Sequence, residues 1–224
     1  MNIIYKYSDK GKIPAVSNKI IIKYKFNKLF NDGINNIIYF LDNCEPETLK
    51  YFADDTIIQT TLGNSGCNKA IYQYIIDNFA DDEIVYICED DYLYDTKNNS
   101  KNLTKIICEG LERADYVSLF DHPDKYVTGG DNPFITNGGE DTKVILTNSI
   151  HWKFTNSTTM TFACKVKTLK EDFNILNGFN NTVVPQDFMM FLHLGKMGRK
   201  LITPIPGLAN HCGYSPVTPL FNFE

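Results

Sequence analysis

No apolar run in this sequence approaches the roughly 20 residues needed to cross a bilayer. Its opening, MNIIYKYSDKG, also lacks the apolar stretch and small-residue cleavage site of a secretory signal. No transmembrane segment is expected, and the expected compartment is cytoplasmic. Basic residues are in the minority: 22 Lys and Arg against 27 Asp and Glu leave a formal charge of −5. That balance gives no broad cationic field, so no nucleic-acid partner is expected, and an anionic substrate would need a local cation or a metal. Six cysteines occur without a C-x-x-C pair or regular spacing, which suits reduced thiols better than a disulfide framework or a zinc cage. The N-x-S/T triplets at Asn98, Asn102, Asn156 and Asn180 carry no weight without a secretory signal. No internal repeat and no linker marks a second domain, so residues 1–224 are expected to form one.

What is present is an ordinary globular composition, 43% hydrophobic and 22% charged, enough for one substantial core. Through residues 1–120, short β-branched runs alternate with longer helical patterns, which predicts a mostly parallel sheet covered by helices on both faces. The strands are predicted at 2–7, 36–41, 56–61, 83–88 and 116–120. One helix is expected after the N-cap candidate Ser17, with Ile22, Phe26, Leu29 and Phe30 on one face and Gly33 past its end; a second is expected after Asn64. Residues 121–142 then turn to Gly, Pro, Asp and Asn, too long for a simple connection and of the kind that carries function. Strands near 142–147 and 159–166, a helix near 169–176 and another opening after Pro185 follow. The tail from Leu201 is expected to wrap back over the body.

The run IVYICEDDYLY sets Glu89, Asp90 and Asp91 at the C-terminal end of an apolar strand, where open α/β sheets bind ligands. Adjacent carboxylates repel unless cations or donors neutralise them, and magnesium or manganese takes carboxylate and phosphate oxygens together. A solvated turn is the bland alternative. Tyr92 and Tyr94 follow and are expected to flank a base or sugar ring. GNSG before a helical pattern offers backbone N–H groups to a phosphate, or simply makes Asn64 an N-cap; no Walker loop is present. Asp187 falls in the first turn of a helix, where an acid also complements the dipole. Trp152, Thr155 and Asn156 suit sugar hydroxyls and ring stacking, although a lone Trp also serves as core. His122 and Asp124 are candidate donor-sugar contacts.

These segments together resemble glycosyltransferases of the GT-A fold. They are similar in particular to small glycosyltransferase domains of large algal viruses (chloroviruses) and related bacterial proteins. The likeness is carried by GNSG at 63–66, EDDYLY at 89–94, DHPDKY at 121–126, HWKFTNSTTMTFA at 151–163, PQDF at 185–188 and PGLANHCGYSP at 206–216.

The resemblance implies a Rossmann-like nucleotide-binding half at 1–120 with a mixed central sheet, and an acceptor-binding half at 121–224. It places Tyr5, Lys6, Tyr7, Ser8 and Asp9, with Asn64, near the nucleotide. Asp91 becomes a metal ligand with His211 as a further one, for manganese or magnesium, and Asp187 the general base of an inverting transfer. The family's motif begins with Asp where this chain has Glu89, so whether Glu89 or Asp90 faces the ribose stays open. The implied partners are a nucleotide-diphosphate sugar, with UDP as the expected nucleotide, and a glycan acceptor; a viral chain would work in its host's cytoplasm. Two other readings stand beside this one: a nucleotidyltransferase that forms nucleotide sugars, and a non-catalytic carbohydrate-binding domain.

Overall fold

The computed structural model describes residues 1–10, 19–30, 35–95, 102–127, 132, 135–136, 139–213 and 217–221. The first half runs β1 (Asn2–Ser8), α1 (Lys19–Phe30), β2 (Asn36–Asp42), a short α2 (Pro46–Leu49), β3 (Thr56–Thr60), α3 (Gly63–Asn78) and β4 (Ile84–Glu89). Next come β5 (Tyr92–Tyr94), α4 (Leu103–Leu111), β6 (Tyr116–Val117), β7 (Ile135–Thr136), β8 (Gly139–Glu140) and β9 (Val144–Leu146). The chain continues through β10 (His151–Thr155), β11 (Phe162–Lys165), α5 (Val166–Gly178), α6 (Asp187–Lys196), β12 (Leu201–Pro204) and β13 (Ala209–His211).

Nine strands form one sheet in the order β3-β2-β1-β4-β11-β6-β12-β10-β9. β1 to β4 are mutually parallel, whereas β11 runs antiparallel to both β4 and β6. After β1 the chain moves outward to β2 and β3, then returns through α3 to β4 on the other side of β1. The strand order therefore reverses between β1 and β4, and a crevice opens at their C-terminal ends.

Side-chain alternation sorts this half into two cores. Ile3, Tyr5 and Tyr7 of β1 join Tyr86 and Cys88 of β4 in a cluster with Phe26, Phe30 and Leu103 of α1 and α4. Ile4 of β1 and Val85 and Ile87 of β4 face the other way, against Ile71, Ile75, Leu169 and Phe191 of α3, α5 and α6. By the same period, Lys6 and Glu89 lie on that second face at its upper edge, and they pair in register across β1 and β4.

Several predicted elements shift. The strand expected at 116–120 ends at Val117, and that expected at 159–166 spans only Phe162–Lys165 because Val166 already opens α5. Ser17 and Gly33, the expected ends of the first helix, lie outside the described residues; Phe26 and Phe30 of its expected face are fully buried. Asn64 is not the N-cap of α3. Leu62 holds that position, and Asp42 Oδ1 accepts from the N–H groups of Leu62 and Gly63 at 2.7 and 3.3 Å. A carboxylate from the neighbouring strand thus does the work that a local Asn was expected to do. The six thiols are free, and no helix among the described residues is long and apolar enough to cross a membrane.

Candidate active site

A cleft of about 580 Å³ opens where β1 and β4 end. Its walls include Lys6, Ser8 and Lys19 from the β1 side, Asn64 at the start of α3, and Glu89, Asp90 and Asp91 from β4 and the turn after it. Val183 and Val184, both strongly exposed, form its opposite lip.

The three carboxylates point to different partners, which relieves their mutual repulsion. Glu89 Oε1 receives Lys6 Nζ at 3.0 Å. Asp90 is buried and turns inward, its Oδ2 accepting from the Ser8 N–H at 2.8 Å and from Lys19 Nζ at 2.9 Å. Burial pushes the Asp90 carboxyl up to about 7; Lys19 opposes that and Asp91 adds to it. Asp91 faces His211 instead, with Oδ2 3.0 Å from Nε2. Asp90 therefore ties the end of β1 to the end of β4, while Glu89 and Asp91 face the open cleft.

His211 is delivered by β13, which pairs antiparallel with β5 so that His211 stands opposite Tyr92. Tyr92 packs edge-on against the imidazole at 4.9 Å between centroids, and the Gly213 N–H donates to Nδ1 at 3.2 Å. Burial works against a charged imidazole here, but the bond and charge of Asp91, with Glu89 and Asp187 beyond, outweigh it and raise the pKa of His211.

For a divalent ion the fit rests on Asp91 Oδ1, a buried oxygen that accepts no hydrogen bond among the described residues. With His211 Nε2 it supplies two donors suited to manganese or magnesium. No group of three or more such side chains gathers among the described residues, so a diphosphate and water would complete the shell. Ligation through Nε2 also requires Nδ1 to carry the proton, hence release of the Gly213 contact.

Asp187 opens α6 behind Gln186, and its Oδ1 accepts from the Phe188 N–H at 2.8 Å. Burial pushes its carboxyl up to about 6, with Glu89 adding to the rise and the Phe188 N–H, His122 and His211 opposing it. The helix start thus places a weakly acidic carboxyl within electrostatic reach of the Glu89, His211 and His122 side chains.

Other expected site residues fall elsewhere. The Tyr5 ring is buried against Phe26 and Tyr39 at 4.7 and 5.5 Å, and Tyr7 is buried edge-on to Phe52 at 5.2 Å; both lie on the α1 face of β1, away from the cleft, so neither stacks on a base. Tyr92 and Tyr94 are likewise core, bonding Thr159 Oγ1 and the Tyr86 hydroxyl. Trp152 is fully buried, its indole N–H donating to Thr147 Oγ1 at 3.1 Å, and it packs so closely on α4 that a Cβ at Gly110 would come within 3.1 Å of it. Trp152 is core and offers no surface to an acceptor. Asp9 organises the turn into α2, accepting from Glu45 N–H and Thr48 Oγ1 at 2.7 and 2.9 Å.

Thr155 and Asn156, both half-buried, belong to a polar network with Asp121, Lys125, Glu140 and Lys153. Thr155 donates to Glu140 at 3.0 Å, and Asn156 accepts from Lys125. Lys153 bridges Asp121 and Glu140 at 2.9 and 3.5 Å. His122 Nδ1 lies 2.7 Å from Asp124 Oδ1, which in turn lies 3.8 Å from Lys125 Nζ of that network. Sequence reasoning missed Lys19 and Asp42; it set Lys6 near the nucleotide but did not foresee its pairing with Glu89. The lysine that interrupts the apolar pattern of NIIYKYS was the available signal.

No family model matches the sequence, and no curated protein does. Solved structures do match. The 2-C-methyl-D-erythritol 4-phosphate cytidylyltransferase of Francisella tularensis aligns over 91% of both chains at 14% identity, with a TM-score of 0.51. An active-site mutant of LgtC, a GT-A glycosyltransferase, aligns over 91% of this chain and 72% of its own at 10% identity and a TM-score of 0.50. The chain spans only 49% of the bifunctional IspDF of Campylobacter jejuni, with a TM-score of 0.44 and 13% identity. The first two likenesses show the fold: a Rossmann-like, mixed-sheet α/β architecture of the GT-A and nucleotidyltransferase kind. The finer similarity to viral domains rests on the sequence segments alone.

Proposed function

We propose that this chain is a nucleotide-binding transferase that moves a sugar from a nucleotide-diphosphate donor, a UDP-sugar by preference, to a hydroxyl of a glycan acceptor. The observation that carries the reading is the placement of Asp187 at the start of α6, half-buried, with its carboxyl raised to about 6 by burial and within electrostatic reach of Glu89 and His211. A base of that strength is matched to taking a proton from an acceptor hydroxyl near neutral pH. In the step, the acceptor oxygen bonds to the anomeric carbon as its bond to the diphosphate breaks. The bonding pair leaves with the diphosphate, and the hydroxyl proton passes to an Asp187 carboxylate oxygen. Attack from the side opposite the leaving group inverts the configuration. Asp91 and His211 would hold manganese or magnesium, which when bound neutralises charge on the diphosphate. Ser8, Asn64 and Glu89 line the donor cleft, Asp90 fixes its floor, and His122 with Asp124 borders the transferred sugar.

One observation favours a second reading, transfer of a nucleotidyl group to a sugar phosphate. Lys6, Lys10 and Lys19 all line the cleft, and cations near the first strand suit a triphosphate. Yet Lys6 and Lys19 are already engaged by Glu89 and Asp90, and that chemistry has no use for a base at Asp187. A panel of nucleotide sugars with manganese, scored for release of nucleoside diphosphate, is set against nucleoside triphosphates plus sugar 1-phosphates, scored for pyrophosphate. Diphosphate release supports glycosyl transfer. Pyrophosphate release replaces it with the second reading, and sugar affinity without either product leaves a carbohydrate-binding domain.

A further inference from the structure

Beyond the site itself, a line of buried polar groups leads from Glu89 to the segment that precedes Asp187. Glu89 Oε1 meets Lys6 Nζ at 3.0 Å; Lys6 Nζ donates to Asn68 Oδ1 at 2.8 Å. The Asn68 amide in turn donates to Asn180 Oδ1 at 3.0 Å, and the Asn180 amide donates to the Leu176 carbonyl in the last turn of α5 at 2.8 Å. Asn68 and Asn180 are each 2% exposed and Lys6 is 6% exposed. Burying two amides and an ammonium between helices gains little over apolar packing but specifies one geometry, because any shift leaves a buried donor or acceptor unmatched. The same α3 surface holds the segment further on, through Lys69 to Asn181 and Ser65 to the Val183 carbonyl. From there the chain crosses the lip of the cleft and enters α6 at Asp187.

We propose that Lys6, Asn68 and Asn180 are positioning residues that fix the strap 179–186, and through it the carboxyl of Asp187, relative to Glu89 at the donor site. The inference rests on the glycosyl-transfer reading for its catalytic consequence, but its structural part stands without it. Two variants cut the line between α3 and the strap in different ways. Asn180→Leu removes the side-chain hydrogen bonds to Asn68 and to the Leu176 carbonyl. Asn68→Asp keeps an acceptor for Lys6 but turns the donor toward Asn180 into an acceptor, so Lys6 stays satisfied and only the link to the strap is lost.

Hydrogen exchange of the unliganded protein, followed by mass spectrometry on peptides covering 179–190, is compared with β11 and α4 as internal controls. In parallel, kcat and donor KM are measured with whichever nucleotide sugar the wild type turns over. The expected result in both variants is exchange about tenfold faster at 179–190 with the controls unchanged. A fall in kcat of up to roughly 10²-fold with donor KM within about twofold accompanies it, the signature of a displaced reacting group rather than lost binding. Unchanged exchange in both variants overturns the proposal, as does faster exchange with undiminished kcat. If the wild type turns over no nucleotide sugar, the glycosyl-transfer reading fails by itself, and the exchange data alone decide whether the line of residues holds the strap.

Discussion

Asp91 and His211 come from opposite halves of the chain and meet at 3.0 Å between Oδ2 and Nε2. Two backbone features set that meeting: the β5–β13 register that puts His211 across from Tyr92, and a 2.7 Å bond from the Cys212 N–H to the Asp91 carbonyl. The second oxygen of Asp91 is left buried and unbonded among the described residues, a costly state unless a cation completes it. Asp91→Asn is therefore expected to abolish the metal dependence of nucleotide binding while leaving the fold intact. Calorimetric titration of UDP with manganese, with and without chelator, checks this. Wild-type binding is expected to weaken at least tenfold on chelation and the variant to be indifferent; equal binding in all four samples would remove Asp91 from the metal site.

Asp187 makes a separable prediction because the proposed function sets it on the acceptor side rather than at the donor. Asp187→Asn is expected to lower kcat by roughly 10²- to 10⁴-fold, the range for loss of a general base, with UDP affinity within about twofold. The pH dependence follows from the direction of its shift. The base acts unprotonated, and its carboxyl is raised to about 6, so kcat is expected to fall as pH drops through 6. An ordinary Asp would hold its rate to near 4. A rate flat from pH 7 down to 5 would show that another group takes the proton.

The parallel half of the fold was legible because NIIYKY, NIIYFL and EIVYIC are apolar on both faces, as strands covered by helices on two sides must be. α4 was not foreseen, since the Asn- and Lys-rich stretch before it masks its start. The site was legible where its chemistry is local: Glu89, Asp90 and Asp91 are consecutive and end a strand. Their partners were not, because Lys6 stands 83 positions from Glu89 and Lys19 stands 71 from Asp90, and only the sheet order brings them together. The aromatics misled for a related reason. A tyrosine on a strand reads alike whether its ring meets a base or Phe26; the side of β1 on which it falls decides, and for Tyr5 and Tyr7 that side is the core.

Trp152 tests that distinction directly. Its ring is fully buried against α4, so Trp152→Ala should cost about 3–5 kcal/mol of stability, as large core truncations do, and Trp152→Phe a smaller amount that keeps the protein folded. Thermal unfolding measures the loss. In the Phe variant, acceptor KM is expected to stay within about twofold of wild type; a selective rise in acceptor KM at unchanged Tm would return Trp152 to the acceptor surface.

Asp90 carries a prediction about stability rather than rate. Its carboxyl is raised to about 7, chiefly by burial, against about 3.9 when unfolded. Between those values the folded protein binds more protons than the unfolded chain, so stability from this group is lost as pH rises and regained as it falls. Asn at this position cannot titrate. It still accepts from the Ser8 N–H and lacks only the charge that the wild-type carboxyl acquires as pH rises through about 7. Relative to wild type, Asp90→Asn is thus expected to be close in stability at pH 5, where the wild-type carboxyl is itself protonated, and to gain steadily on wild type toward pH 8. Tm is measured across that range at constant ionic strength, without metal. A Tm difference that is flat with pH, or that widens against the variant as pH rises, would mean that Lys19 and the Ser8 N–H keep Asp90 ionised throughout, making it a structural anion with no proton to exchange.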